Sequence, residues 1–218
     1  MINKILTILK WPLGLLMLVI TVPAFYANLV FLDTCINRFA LIWFFLPMMA
    51  TALFWFVIPG LSGSFLAIFE HEATHMLFAL LTGHKPHSLD IKQDVGGSFS
   101  FYGKGNWLIA LSPYFFPTFS SLVVLSSLFY LYTQTPIPPL YWSVFGVLTG
   151  YHIVAGLMQI HPKQTDFKEA GYLFSLVFLP GMNLLMLGFL MAFGVSGWNG
   201  VDIFIKLLFE QIDSFLQM

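Results

Sequence analysis

One pentapeptide in this chain has residue types and spacing suited to metal chemistry: His71-Glu72-Ala73-Thr74-His75. On a helix the two histidines stand one turn apart on one face. Two imidazoles so placed can share one Zn²⁺ at about 2.0–2.1 Å each. Glu72 then stands beside the ion, where it can take a proton from a zinc-polarised water. With the chain's own His and Glu usage, the pattern is expected about 0.003 times by chance, so its presence is informative. A catalytic zinc also needs a third protein ligand and an open coordination position. Asp166 stands out for that role. It follows Gln159-Ile160-His161-Pro162, where the proline ends a helix, and an acid presented from such a break can reach histidines on another helix. Glu169, His152, His161, His84 and His87 are further candidates, and the residues alone leave the choice open. Glu70 and Thr74, one turn apart, are candidates for supporting contacts only.

These side chains must be positioned by elements that live in lipid. Of 218 residues, 58% are hydrophobic and only 9% charged, against about 25% charged in a soluble domain. That excludes an ordinary soluble enzyme and a disordered chain. It also excludes a nucleic-acid binder, for want of a basic surface. The single Cys35 excludes an intrachain disulfide framework. The reading is an all-α polytopic membrane protein of one domain, 1–218, with about six transmembrane helices. The apolar runs fall near 11–32, 39–59, 61–82, 106–132, 140–160 and 170–194. The first reads as a retained helix rather than a cleaved signal. Residues 1–60 would form two N-terminal helices, 61–194 the core, and 195–218 an amphipathic helix on the membrane surface or on the bundle. The polar stretch 86–103 reads as a short β-hairpin beside the membrane. Its Gly96-Gly97 pair suits either a turn or close approach of a substrate backbone. Lysines in 83–105 and 161–169 place those loops in the cytoplasm, and the uncharged 133–139 loop outside. Strict alternation over six spans then puts both termini outside, against the sense of Lys4 and Lys10.

Together these residues resemble the site-2 protease family of intramembrane zinc metalloproteases, in a small, divergent, bacterial form. HEATH at 71–75 matches the family's HExxH helix, and 86–103 falls where its hairpin follows. The segment NWLIALSPYFFP at 106–117 resembles the start of its second core helix. Gln159, Pro162 and Asp166 fall where its Asn-x-x-Pro…Asp-Gly motif should be, with Gln for Asn, Phe167 for Gly, and one residue less between Pro and Asp. The resemblance implies a Zn²⁺ cofactor held by His71, His75 and Asp166, with Glu72 as catalytic base. It implies Gln159, Pro162 and the Gly96-Gly97 strand as substrate-binding elements. The partners would be a membrane-anchored protein substrate and the lipid bilayer, without nucleic acid. The location would be the bacterial inner membrane, with the active site toward the cytoplasm. A non-proteolytic zinc-binding membrane protein, either a transporter or an inactive relative, is the alternative; the intact Glu72 weighs against it.

Overall fold

A computed structural model describes residues 2–58, 61, 64–92, 96–161 and 164–217. Among these the chain is almost wholly helical, with one small antiparallel sheet. Helix α1 runs Ile2–Cys35. A second apolar rod, Arg38–Val57, comprises α2 (Arg38–Ala40), a π-helical turn (Leu41–Phe45) and α3 (Leu46–Val57). Asn37 starts it, its Oδ1 accepting from the Ala40 N–H at 2.8 Å. Helix α4 (Phe65–Leu81) carries HEATH and is capped by Ser64. Strands β1 (Lys85–Lys92) and β2 (Gly96–Tyr102) follow. Then come α5 (Trp107–Leu111), a 3₁₀ turn (Ser112–Tyr114), α6 (Thr118–Thr133), α7 (Pro139–Gln159), α8 (Thr165–Ala170) and α9 (Tyr172–Leu216).

Among the described residues, four helices are long and apolar enough to cross a membrane: α1, Arg38–Val57, α7 and α9. A fifth crossing forms if Trp107–Tyr114 and Thr118–Thr133, bent by 85°, count as one broken span. The break has a local cause. Pro113 and Pro117 interrupt the helical hydrogen bonding, and the polar residue Asn106 caps the short first arm. The expected third span is the one that differs. Helix α4 has 17 residues, and both of its ends lie at the same end of the bundle. Its first half is bonded by Gln159, the last residue of α7. Its far end leads to His84, which bonds Asn3 near the start of α1. These are neighbouring ends. Helix α1 runs parallel to α9, with Gly14 against Phe174 and Gly181 against Met17, and α9 begins just after α7 through α8. The HEATH helix therefore begins and ends on one side of the bundle, while Phe69 packs on Phe119 and Phe78 on Phe115 within it. An apolar-length ruler does not detect this, because it counts residues and not direction.

The N-terminus consequently lies on the same side as the hairpin, not opposite to it as alternation over six spans would require. Asn3 donates to the Lys104 carbonyl at 2.7 Å and accepts from Asn106 at 2.9 Å. Lys4, Lys10, Lys85, Lys92, Lys104 and Lys168 then share one end, and the conflict in charge disappears.

Small residues set the closest helix approaches. A Cβ at Gly146 would meet the Phe44 carbonyl oxygen at 2.3 Å, and one at Gly150 would meet that of Met48 at 2.1 Å. Helices α3 and α7 thus pack backbone to backbone. Gly150→Ala should lower the unfolding midpoint in detergent by several degrees, because the methyl has no space without moving the whole helix, at a cost of about 1–3 kcal/mol. An unchanged midpoint would mean the helices separate freely.

The C-terminal segment does not float apart. Non-helical backbone at Ser196 and Gly197 (φ 60°) breaks α9. Beyond it Gly200 meets Ala192 and Phe204 covers Gly188, so the chain folds back and buries Val201 and Phe204 on the bundle. Of the two readings of this segment, packing on the bundle is the one seen for these residues.

Candidate metal centre

Three donor atoms converge over α4. His71 Nε2 and His75 Nε2 lie 3.2 Å apart, and Asp166 Oδ2 lies 3.4 Å from the first and 3.6 Å from the second. A tetrahedral zinc with bonds of about 2.0–2.1 Å has ligand–ligand edges of about 3.3–3.4 Å. The donor set and its edges therefore fit that ion. Among the described residues this is the one cluster of three such ligands.

The tautomers are set from behind. His71 Nδ1 faces Gln159 Oε1 at 2.7 Å, while Gln159 Nε2 donates to the Ala67 carbonyl at 3.4 Å. The amide's oxygen is thus toward the ring, and His71 Nδ1–H donates to it. His75 Nδ1–H donates to the Ile109 carbonyl at 2.8 Å. Both rings keep the Nε2 lone pair for the centre, the arrangement by which outer groups orient metal-binding histidines. Asp166 sits in the first turn of α8, and its Oδ2 accepts from the Tyr114 hydroxyl at 2.7 Å. Burial disfavours charge on Asp166, yet the His71 and His75 rings beside it and the hydrogen bond from Tyr114 hold its carboxyl below the usual range.

Glu72 lies buried between α4 and β2. A Cβ at residue 97 would fall 2.6 Å from Glu72 Cγ and 2.8 Å from its Oε1. Gly97 therefore makes room for Glu72. Neither glycine forms the hairpin turn. Gly97 pairs with Ile91, and Gly96 (φ 131°) pairs with Lys92, at the start of β2. The space beside Gly96 is open, with nothing within 4 Å of where its Cβ would be.

The other candidates stand apart. Gln159, expected to hold substrate, spends both ends of its amide on protein, at His71 and Ala67. Pro162 lies outside the described residues. Glu169, His161 and His87 are exposed. His84 is engaged with Asn3, Thr82 and Lys104, and His152 bonds the Phe115 backbone. Glu70 accepts from the Phe119 N–H at 3.0 Å, satisfying one of the amides that begin α6 without a partner in the helix. Thr74 joins it there, 2.5 Å from Thr118 Oγ1. Both tie α4 to α6.

A model of the Peptidase M50B-like family matches residues 46–156. The chain belongs to that family. The peptidase's match takes in HEATH, both strands and the broken α5–α6 pair, and stops before Gln159 and Asp166. Comparison with curated proteins and with solved structures gives no match.

Tyr114 was not singled out in the sequence. Its position in a proline-broken bend between two helices was the available signal, but which atom its hydroxyl meets depends on the tertiary fold. Tyr114→Phe removes only the bond to Asp166. It should weaken zinc binding about 10- to 100-fold, measured by competition with a chromophoric chelator. Unchanged affinity would mean the hydroxyl does not support the ligand.

Proposed function

We propose that this M50B-like peptidase is a zinc metalloprotease that hydrolyses peptide bonds of membrane-anchored proteins. The observation that carries the reading is the His71–His75–Asp166 triangle, whose edges suit a tetrahedral zinc, with Glu72 beside it. Zinc held there would supply Lewis acidity, lowering the pKa of a water toward about 7 and polarising the scissile carbonyl. Glu72 accepts the proton of the attacking water and passes it to the leaving amine. Gln159 and the Ile109 carbonyl keep both imidazoles in the tautomer that offers Nε2. Tyr114 fixes the rotamer of Asp166. Strand β2 packs Gly97 against Glu72 and pairs with β1 along one edge; an unwound substrate segment would add along the other as a further strand.

The chain is read as an integral membrane protein of the bacterial inner membrane. Its lysine-rich end carries the HEATH helix, so the positive-inside rule puts the active site toward the cytoplasm. The test is cleavage by the protein reconstituted in vesicles with a single-span substrate. Cleavage should stop with a zinc chelator and return on adding zinc. Cleavage that survives complete metal removal would overturn the reading.

A further inference from the structure

A cavity of about 620 Å³ lies between α7 and α9. Its lining includes Tyr114, whose hydroxyl bonds Asp166, and Phe167, the residue after Asp166, so it lies next to the metal centre. Its outer rim includes Leu157 and Leu176, which are 65% and 71% exposed. The passage between is apolar. Of the polar groups along it, Ser175 donates to the Gly171 carbonyl, Asn183 Nδ2 to that of Leu179, and His152 bonds the Phe115 backbone, while His161 stands at the exposed end. The lining therefore suits hydrocarbon rather than charge. One turn of helix with its side chains fills about 500 Å³, so an intact transmembrane helix does not fit. An unwound segment bearing a large side chain does.

Gly156 lies in this wall. A Cβ there would meet nothing within 4 Å, unlike one at Gly146 or Gly150 on the same helix. No packing contact requires glycine at 156; the effect of the missing side chain is an open cavity.

We propose that this cavity receives a large apolar side chain of the substrate, next to the peptide bond presented to His71, His75 and Asp166, and that Gly156 sets the size accepted. The proposal rests on the proteolytic reading above. An acyl chain of a lipid would suit the walls as well. A substrate side chain is favoured because the inner end stops at Tyr114, against the reacting centre.

The test uses two zinc-chelating probes, glycine hydroxamate and phenylalanine hydroxamate, on the purified zinc-loaded full chain. In the wild type the benzyl group should tighten binding about tenfold or more. In Gly156→Leu that gain should fall below about threefold, while glycine hydroxamate binds as before. Gly156→Ala, the smaller step, should fall between them and guards against a folding defect in the leucine variant. A benzyl gain equal in all three proteins overturns the proposal. So does a tightly held lipid lost from Gly156→Leu with the benzyl gain intact, which assigns the cavity to an acyl chain. Failure of every variant to bind glycine hydroxamate through zinc removes the proteolytic reading itself, a different result from either.

Discussion

Purified full chain is expected to hold about one zinc, and His75→Ala and Asp166→Ala are expected to hold almost none at micromolar metal. The reason is the share each ligand carries. Zinc sites built by protein ligands bind with about 10–16 kcal/mol in all, so one ligand of three or four is worth about 10²–10⁴-fold in affinity. Each deletion also strands its neighbours. Without Asp166 the Tyr114 hydroxyl loses its acceptor, and the two Nε2 atoms face each other at 3.2 Å with nothing between them but an ion held by two bonds. Glu169→Ala is the matched control. Glu169 is on the same short helix but exposed, so its removal should leave zinc content unchanged. Elemental analysis of the three variants decides the matter. Zinc retained in Asp166→Ala and lost in Glu169→Ala would transfer the third ligand to the glutamate and overturn the triangle.

The parts of this site that the sequence disclosed are those fixed by short spacing. His71, Glu72 and His75 share a helix, so their relation is settled within five residues. The hairpin was legible for a similar reason: the polar stretch 86–103 contains β2 and all of β1 but Lys85, paired with Leu89 opposite Phe99 and a register shift between Pro86 and Ser88. Apolar length located α1, α7 and the start of α9 to within a few residues at most of their ends, except that α1 extends to Ile2 through a stretch bearing Lys4 and Lys10. What was not legible depends on direction and on distant partners. Nothing in the hydropathy of 61–82 tells a helix that crosses from one that begins and ends on the same side. That distinction resides in Gln159 and Asn3, respectively 88 and 81 residues away from the His71 and His84 they bond. Gly97 has the same character. In the sequence it is a hairpin glycine, and in the fold it is the space that Glu72 occupies.

Glu72→Gln should abolish cleavage while leaving zinc in place. The substitution keeps the volume of the side chain, so its packing against Gly97 is preserved. It removes only the ability to accept a proton. A positioned general base contributes about 10²–10⁴-fold to rate, so kcat should fall by that factor with KM little changed. Gly97→Ala reaches the same carboxylate from the other side. Its methyl would lie 2.6 Å from Glu72 Cγ, closer than real contacts allow, so either Glu72 or β2 must move. Because effective acid–base work needs heavy-atom distances of about 2.6–3.2 Å, a displacement of even half an ångström should cost rate and not metal. The two variants together separate chemistry from scaffolding. If Glu72→Gln still cleaves at the wild-type rate, Glu72 is not the base. If Gly97→Ala loses zinc as well as rate, the strand supports the metal ligands and not Glu72 alone.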